Sequence, residues 1–290
     1  MVTASSTSAA RAEPPPLLTG GVTIGAGTFT LVARAAASRE GDVAADLAPG
    51  QLLELAQVAR GAKAALLDVG RAWVPADSPE DSLNLGLPLV CEVGTAAEVP
   101  TAAHSASLLR VQVREGVGSG LSVGVALLRA LGRADLPVLL DLDLESDSDG
   151  GAPVEGWLEA VQRLAGTVSD AVGGQVALCL PGTGRAFDLA AIPSLHAASG
   201  WPLLIDATGA DTRRAAALAR AAAAVGADGV VVATRSGAPA GGLAEAELAR
   251  LSGELDAVAG ALGRRMGGRR IRYVGRGADE RRDQDQEWRP

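Results

Sequence analysis

Eight short apolar runs, separated by longer amphipathic stretches, constrain this chain more than any other feature. The runs are "VTIGA" (22–26), "AALLDV" (64–69), "PLVCEV" (88–93), "LLRVQV" (108–113), "PVLLDL" (137–142), "QVALCL" (175–180), "PLLIDA" (202–207) and "GVVVAT" (229–234). Such runs, bounded by Gly, Pro and Asp, read as strands buried on both faces. The stretches between them predict helices around 51–60, 95–103, 120–132, 153–165, 186–198, 211–225 and 243–262. Strand and helix in alternation define a parallel sheet covered by helices. Eight repeats in 290 residues predict an α/β fold, a single-domain (β/α)8 TIM barrel, with an open doubly wound sheet as the alternative. The expected organisation is a flexible arm over 1–21, rich in Ser, Ala and Pro, the barrel over 22–265, and a mixed-charge tail over 266–290.

Charge and composition narrow the function. A net charge of −8, a pI near 4.9 and an aromatic content of 2% leave neither a basic face nor a stacking platform, so no nucleic-acid partner and no anionic membrane partner is expected. No stretch approaches the ~18 apolar residues that span a bilayer, and no charged start precedes a long apolar run. Cys91 and Cys179 stand far apart without metal-ligand spacing, which reads as two buried core thiols in a reducing cytoplasm. His104 and His196 fall in or beside predicted helices, where a structural or surface role is expected.

In a barrel of this kind the functional residues come from the C-terminal strand ends and the loops after them. Those ends carry Gly25 to Thr28, Asp68 with Arg71 and Trp73, Glu92, Gln112 with Arg114, Asp141 with Asp143, Cys179 to Gly182, Asp206 with Thr208, and Thr234 with Arg235. Glu92, Asp141 and Asp206 are the candidate general acids and bases, because carboxylates crowded into one cleft raise one another's pKa. The same groups could hold a hard divalent cation, or cap helices and pair with arginines. Asp68 and Asp143 are the ones expected to point away from the barrel axis. Arg114, Arg71, Arg235, Trp73, Gln112 and Thr208 are candidate ligand-binding residues. "DLDLESDSDGG" lacks the spacing of a calcium loop, and neither "TGGVTIGAG" nor "LPGTG" completes a phosphate-binding motif.

The order of these pieces resembles the 3-deoxy-D-arabino-heptulosonate 7-phosphate (DAHP) synthases, the class I family that also includes barrels like 3-deoxy-D-manno-octulosonate 8-phosphate synthase. "WVPADSP" (73–79) looks like that family's "FKPRTSP", "LGLPLVCEV" (85–93) like "FGLPVVTEV", "LLRVQVRE" (108–115) like "ILQIGARN", and "LPVLLDL" (136–142) like "KPVLLKRG". "VALCLPGTGRAFDLAAIPSL" (176–195) is similar to "VILCERGIRTFDLSAVPVL", and 202–235 follows "LPVIVDPSH" and then "AAVAAGADGLMIEVH". The resemblance implies a phosphoenolpyruvate-using aldolase barrel with a divalent metal held by Cys, His, Glu and Asp, and a homo-oligomer, dimer or tetramer. Its departures fall on that chemistry. The metal ligands map to Gly27 or Thr28, Gly209, Ala233 and a position near Gly241, so no metal and no cofactor is expected. The basic phosphoenolpyruvate grip maps to Val74 and Ala76, to Asp141 in place of a lysine, and to Leu180 and Pro181. Arg114, Glu92 and Asp206 keep the family's residue type. The expectation is a degenerate homologue without DAHP synthase activity. It is either a metal-independent acid/base enzyme (aldol, dehydration, isomerisation or cyclisation) on a non-phosphorylated small molecule in specialised metabolism, or a non-catalytic partner of a pathway enzyme.

Overall fold

A computed structural model describes residues 17–25, 27–35, 49–71, 85–116, 120–143, 157–182, 189, 192–210, 212–234 and 243–266. Eight parallel strands close on themselves: β3 (Thr28–Ala35), β4 (Leu66–Asp68), β5 (Leu89–Glu92), β6 (Leu108–Gly116), β8 (Val138–Asp143), β9 (Val176–Pro181), β10 (Leu203–Asp206) and β11 (Gly229–Thr234), with β11 pairing back onto β3. The helices that cover them are α1 (Pro49–Gly61), α2 (Val99–Ser105), α3 (Val125–Ala134), α4 (Trp157–Ala171), α5 (Ile192–Ser199), α6 (Thr212–Ala224) and α7 (Glu245–Ala261). The architecture is the expected single-domain (β/α)8 barrel. Two short strands add to strands of the ring: β7 (Gly120–Leu121) pairs antiparallel with β6, and β12 (Arg265–Met266) adds in parallel to the start of β3.

One strand differs from the sequence reading. The run at 22–26 is not the first barrel strand; its core, β2 (Val22–Ile24), pairs antiparallel with β1 (Leu17–Thr19), inside the expected arm. The turn is Gly20-Gly21, both at positive φ (50° and 81°), the backbone that a two-residue hairpin loop requires. A side chain at Gly20 would also run into Pro88 and Ser107. "TGGVTIGAG" is therefore a hairpin, not a phosphate loop. The hairpin plugs the N-terminal end of the barrel: the Thr19 hydroxyl donates to the Ser107 carbonyl, and the Thr28 and Thr30 hydroxyls donate to the Thr23 carbonyl. Leu17, Val22 and Ile24 pack there against the barrel interior. The true first strand, "TFTLVARA", went unread because its apolar run is interrupted by Thr30 and Arg34.

The period-two alternation of each strand splits the core in two. One set, including Leu31, Leu67, Leu109, Val111, Leu140, Leu178, Ile205 and Val232, packs outward under the helices. The other, Val32, Leu66, Val90, Leu108, Leu139, Ala177, Leu204 and Val231, fills the barrel. The next inward positions toward the C-terminal ends are where the aliphatics stop.

A buried carboxylate and arginine network at the barrel mouth

Two residues beyond the aliphatic layer, the inward positions are Arg34, Asp68, Glu92, Arg110, Asp141, Cys179 and Asp206. Neighbouring strands place them as pairs, with Arg34 beside Asp68, Glu92 beside Arg110, and Asp141 beside Cys179. Asp68 is fully buried, and Arg110 and Asp141 are more than nine-tenths buried. Charges removed from water this far persist only when paired.

Arg34 reaches across the mouth to three carboxylates: Nε to Asp68 Oδ2 at 2.6 Å, Nη1 to Asp206 Oδ2 at 2.5 Å and Nη2 to Asp141 Oδ2 at 3.1 Å. Arg110 forms the second hub, with Nη1 to Asp141 Oδ2 at 2.7 Å and Nη2 to Glu92 Oε2 at 2.6 Å. Its Nε lies 3.1 Å from Asp68 Oδ2 but is not aligned to donate. Backbone donors complete the frame: the Gly70 N–H bonds Asp68 Oδ1 at 3.0 Å and the Thr208 N–H bonds Asp206 Oδ1 at 2.7 Å. Gly182 presses against the Asp206 backbone, its N–H donating to the Asp206 carbonyl at 2.8 Å. A Cβ there would stand 2.7 Å from that oxygen, so only glycine lets the end of β9 hold the end of β10. At the rim, half-exposed Arg71 donates Nε to Glu92 Oε1 at 3.2 Å.

The electrostatics follow. Burial acts to raise the Asp68 carboxyl, but Arg110, Arg34 and the Gly70 N–H outweigh it and hold the group below its usual value. Burial acts to lower the Arg34 and Arg110 guanidinium groups, and the carboxylates around them hold both above the ordinary arginine value. The Cys179 thiol, enclosed beside Asp141 and Asp206, is pushed well up by burial and then by those two charges. Cys91 is pushed up to about 12, chiefly by burial. Asp141 Oδ1 differs from the other oxygens of the network: among the described residues no donor reaches it, both arginines having taken Oδ2.

Of the expected site residues, Glu92, Asp141 and Asp206 do converge, and Gln112 stands exposed on the inward face of β6 beside Asp141. Thr208 contributes its backbone N–H, and Arg71 contributes through Glu92. The backbone of Arg114 lies on β6, but its side chain, like Trp73 and Arg235, falls outside the described residues. Asp68, expected to turn away from the axis, points inward and is the most enclosed carboxylate of the group. The two hubs, Arg34 and Arg110, were missed. Their signal was a charge at an inward position of an otherwise apolar strand, "LVARA" and "LLRVQV", which alternation alone places inside the barrel.

His104 and His196 stand away from the mouth, as expected. His104 Nδ1 lies 2.7 Å from the Pro100 carbonyl on α2. His196 Nε2 lies 2.9 Å from Asp228 Oδ2 at the opposite barrel face, where Asp228 also receives the Leu203 N–H and Arg264. A separate depression of about 670 Å³ runs between α2 and α3, lined by alanines with Arg129 and Arg133. Its lining holds no carboxylate or nucleophile.

Neither a protein-family model nor a curated protein matches the sequence. Solved structures do match. A truncated form of DAHP synthase from Thermotoga maritima is 22% identical with a TM-score of 0.69, over 88% of this chain and 95% of that one. The phospho-2-dehydro-3-deoxyheptonate aldolase (DAHP synthase) of Thermotoga maritima is 22% identical with a TM-score of 0.67, over 88% and 76%. The spore coat polysaccharide biosynthesis protein spsE of Bacillus subtilis is 16% identical with a TM-score of 0.62, over 86% and 73%. The protein has the fold of the DAHP synthase-like barrels.

The divalent metal that such barrels imply does not fit the residues present. With β3 as the first barrel strand, the cysteine position moves from Gly27 or Thr28 into the stretch after Ala35, and residues 36–48 contain no cysteine. Gly209 and Ala233 offer no ligand atom. Asp141, Cys179 and Asp206 do bring one donor atom each within 4.8 Å of one another. However, Arg34 bonds both carboxylates. A guanidinium group already stands where a divalent charge would have to stand.

Proposed function

We propose that this is a DAHP synthase-like barrel that has lost DAHP synthase chemistry and acts on a non-phosphorylated small molecule by metal-independent proton transfer. The observation that carries the reading is the change of layer inside the barrel. One level down, the interior is aliphatic from Val32 to Val231; at the mouth it becomes a closed array of charges. Replacing buried ion networks with apolar side chains is often neutral or stabilising, so packing alone does not call for this array. It lies on the face where barrels of this fold do their chemistry. Asp141, with Oδ1 open to the mouth, is the proton-transfer group. Glu92 is its counterpart at the rim, and Asp206 is the fixed acceptor that holds Arg34 in place. Arg110 and Arg34 orient these carboxylates and could polarise a carbonyl oxygen. Gln112, Thr208, Arg71, Arg114, Arg235 and Trp73 are the proposed ligand contacts. An aldol, dehydration, isomerisation or cyclisation step needs no more than this. The two unpaired buried thiols suit a reducing cytoplasm, and among the described residues no helix is long and apolar enough to cross a membrane.

One observation favours a second reading, a non-catalytic partner of a pathway enzyme: Arg34 lies across the mouth and occupies three carboxylates at once. The test is turnover. The full-length chain is incubated with small-molecule extracts and followed by NMR, beside Glu92→Gln. Conversion by the wild type that the folded variant loses supports the enzyme. No conversion, together with co-purification of a pathway enzyme that is lost on changing the outer helices, refutes it in favour of the partner.

A further inference from the structure

Away from the mouth, on the outer wall of the barrel, we infer that the hollow between α2 and α3 binds a small organic acid, its carboxylate held by Arg129 and Arg133 and its apolar body laid along the alanines. The hollow has a cause in the sequence. Neighbouring helices interlock by packing the side-chain ridges of one into the grooves of the other. Here both facing ridges are cut short: Ala96, Pro100 and Ala103 on the α2 side meet Ala126, Ala130 and Ala134, which stand one turn apart along α3. Side chains of this size, with buried Val99, leave a space of about 670 Å³. Small-molecule sites span ~300–1,000 Å³.

The second observation is charge. Among the described residues the charged side chains of the lining are both arginines, Arg129 and Arg133, exposed and one turn apart on α3. Like charges at that spacing repel. No carboxylate of the described residues lines the hollow, and neither guanidinium has an ion pair among them. Elsewhere on the surface Arg220 meets Glu254 across α6 and α7, and Arg71 meets Glu92. A carboxylate set between the two guanidinium forks accepts charge-assisted bonds from both and turns their repulsion into attraction. The rest of the lining is alanine, valine and proline, which suits an apolar body behind that head group. The same surface argues against a protein as the occupant. A protein interface buries about 800 Å² per side around large apolar or aromatic anchors. Among the described residues α2 and α3 expose one large apolar side chain, Val125.

The test uses the full-length chain with its alanine methyl groups labelled for NMR, so that Ala96, Ala103, Ala126, Ala130 and Ala134 report from the hollow itself. The probes are octanoate, octanol, which keeps the apolar body without the charge, and inorganic phosphate, which keeps the charge without the body. Octanoate should shift these methyls saturably. Its affinity should fall at least about tenfold in Arg129→Gln/Arg133→Gln, the loss expected of charge-assisted bonds, and octanol and phosphate should each bind more weakly than octanoate. Both arginines are exposed, so the variant should keep the wild-type Tm. Octanol binding as tightly as octanoate, or octanoate binding unchanged in the variant, overturns the acid. Phosphate binding as tightly as octanoate overturns the apolar body. No shift with any probe overturns the site. Shifts of the same methyls that grow with protein concentration alone assign the hollow to a second copy of the chain and overturn the small-molecule reading.

Discussion

Arg34→Met is the perturbation that most directly probes the network. Methionine keeps most of the side-chain length but removes the cation that Asp68, Asp141 and Asp206 share. Asp68 and Asp141 keep Arg110. Among the described residues Asp206 keeps only the Thr208 N–H, on its other oxygen, so it is the charge left stranded. Removing one partner of a buried ion pair costs about 3–5 kcal/mol. For a domain of this size each kcal/mol lowers Tm by about 2–4 °C, so a fall of roughly 6–20 °C is expected. The assay is urea and thermal unfolding followed by circular dichroism at pH 7, in a double-mutant cycle with Asp206→Asn. The double variant should recover about 1–3 kcal/mol of the loss, because it removes the stranded charge. A loss under about 1 kcal/mol with no coupling to Asp206, the behaviour of an exposed pair, would refute the buried network.

Three further outcomes follow from the same geometry. In the wild type, Asp68 is held below its unfolded value, so its contribution is present above about pH 4 and is lost as pH falls further; acid titration of stability should be flat from pH 7 to 5 and steep below 4, and Asp68→Asn should flatten the steep limb. Cys91 and Cys179 are fully buried with thiols pushed upward, so a thiol reagent at pH 8 should label neither in the folded chain and both in urea, and folded-state labelling within minutes would contradict the packing. At the opposite face, Asp228→Ala strands the Leu203 N–H and Arg264, and should cost about 2–4 kcal/mol without altering ligand binding at the mouth.

The fold was legible because parallel strands buried on both faces give continuous apolar runs, and seven of the eight barrel strands announced themselves so. The exception is instructive. "TFTLVARA" carries Thr30 and Arg34 on its inward face, so the residue that organises the site also hid the strand that bears it. The apolar run at 22–26 then took its place, although the Gly20-Gly21 pair before it was a readable hairpin signal. In the site, Glu92, Asp141 and Asp206 were found because they end apolar runs. Arg110 was passed over because it sits inside one. Asp68 was set aside on the period of two, although Leu66 in the barrel interior fixes Asp68 on the same face. What single residues could not give was the pairing. The reach of Arg34 from β3 to Asp141 on β8 and Asp206 on β10 comes from closure of the barrel, which no local pattern contains.

Pairing also changes how the carboxylates are to be tested. Asp141→Asn would have been a quiet substitution for an isolated acid. Between two buried guanidinium groups it removes charge-assisted bonds worth about 1.5–3 kcal/mol, so activity and stability must be read together.

The central claim, that an internally paired carboxylate and arginine mouth has replaced a metal and phosphoenolpyruvate site, is tested most directly by calorimetric titration of the full-length chain with phosphoenolpyruvate in the presence and absence of Mn²⁺. The account predicts no binding heat for phosphoenolpyruvate with or without the metal, and no Tm shift from the pair. Saturable, Mn²⁺-dependent binding of phosphoenolpyruvate at one site per chain would contradict it.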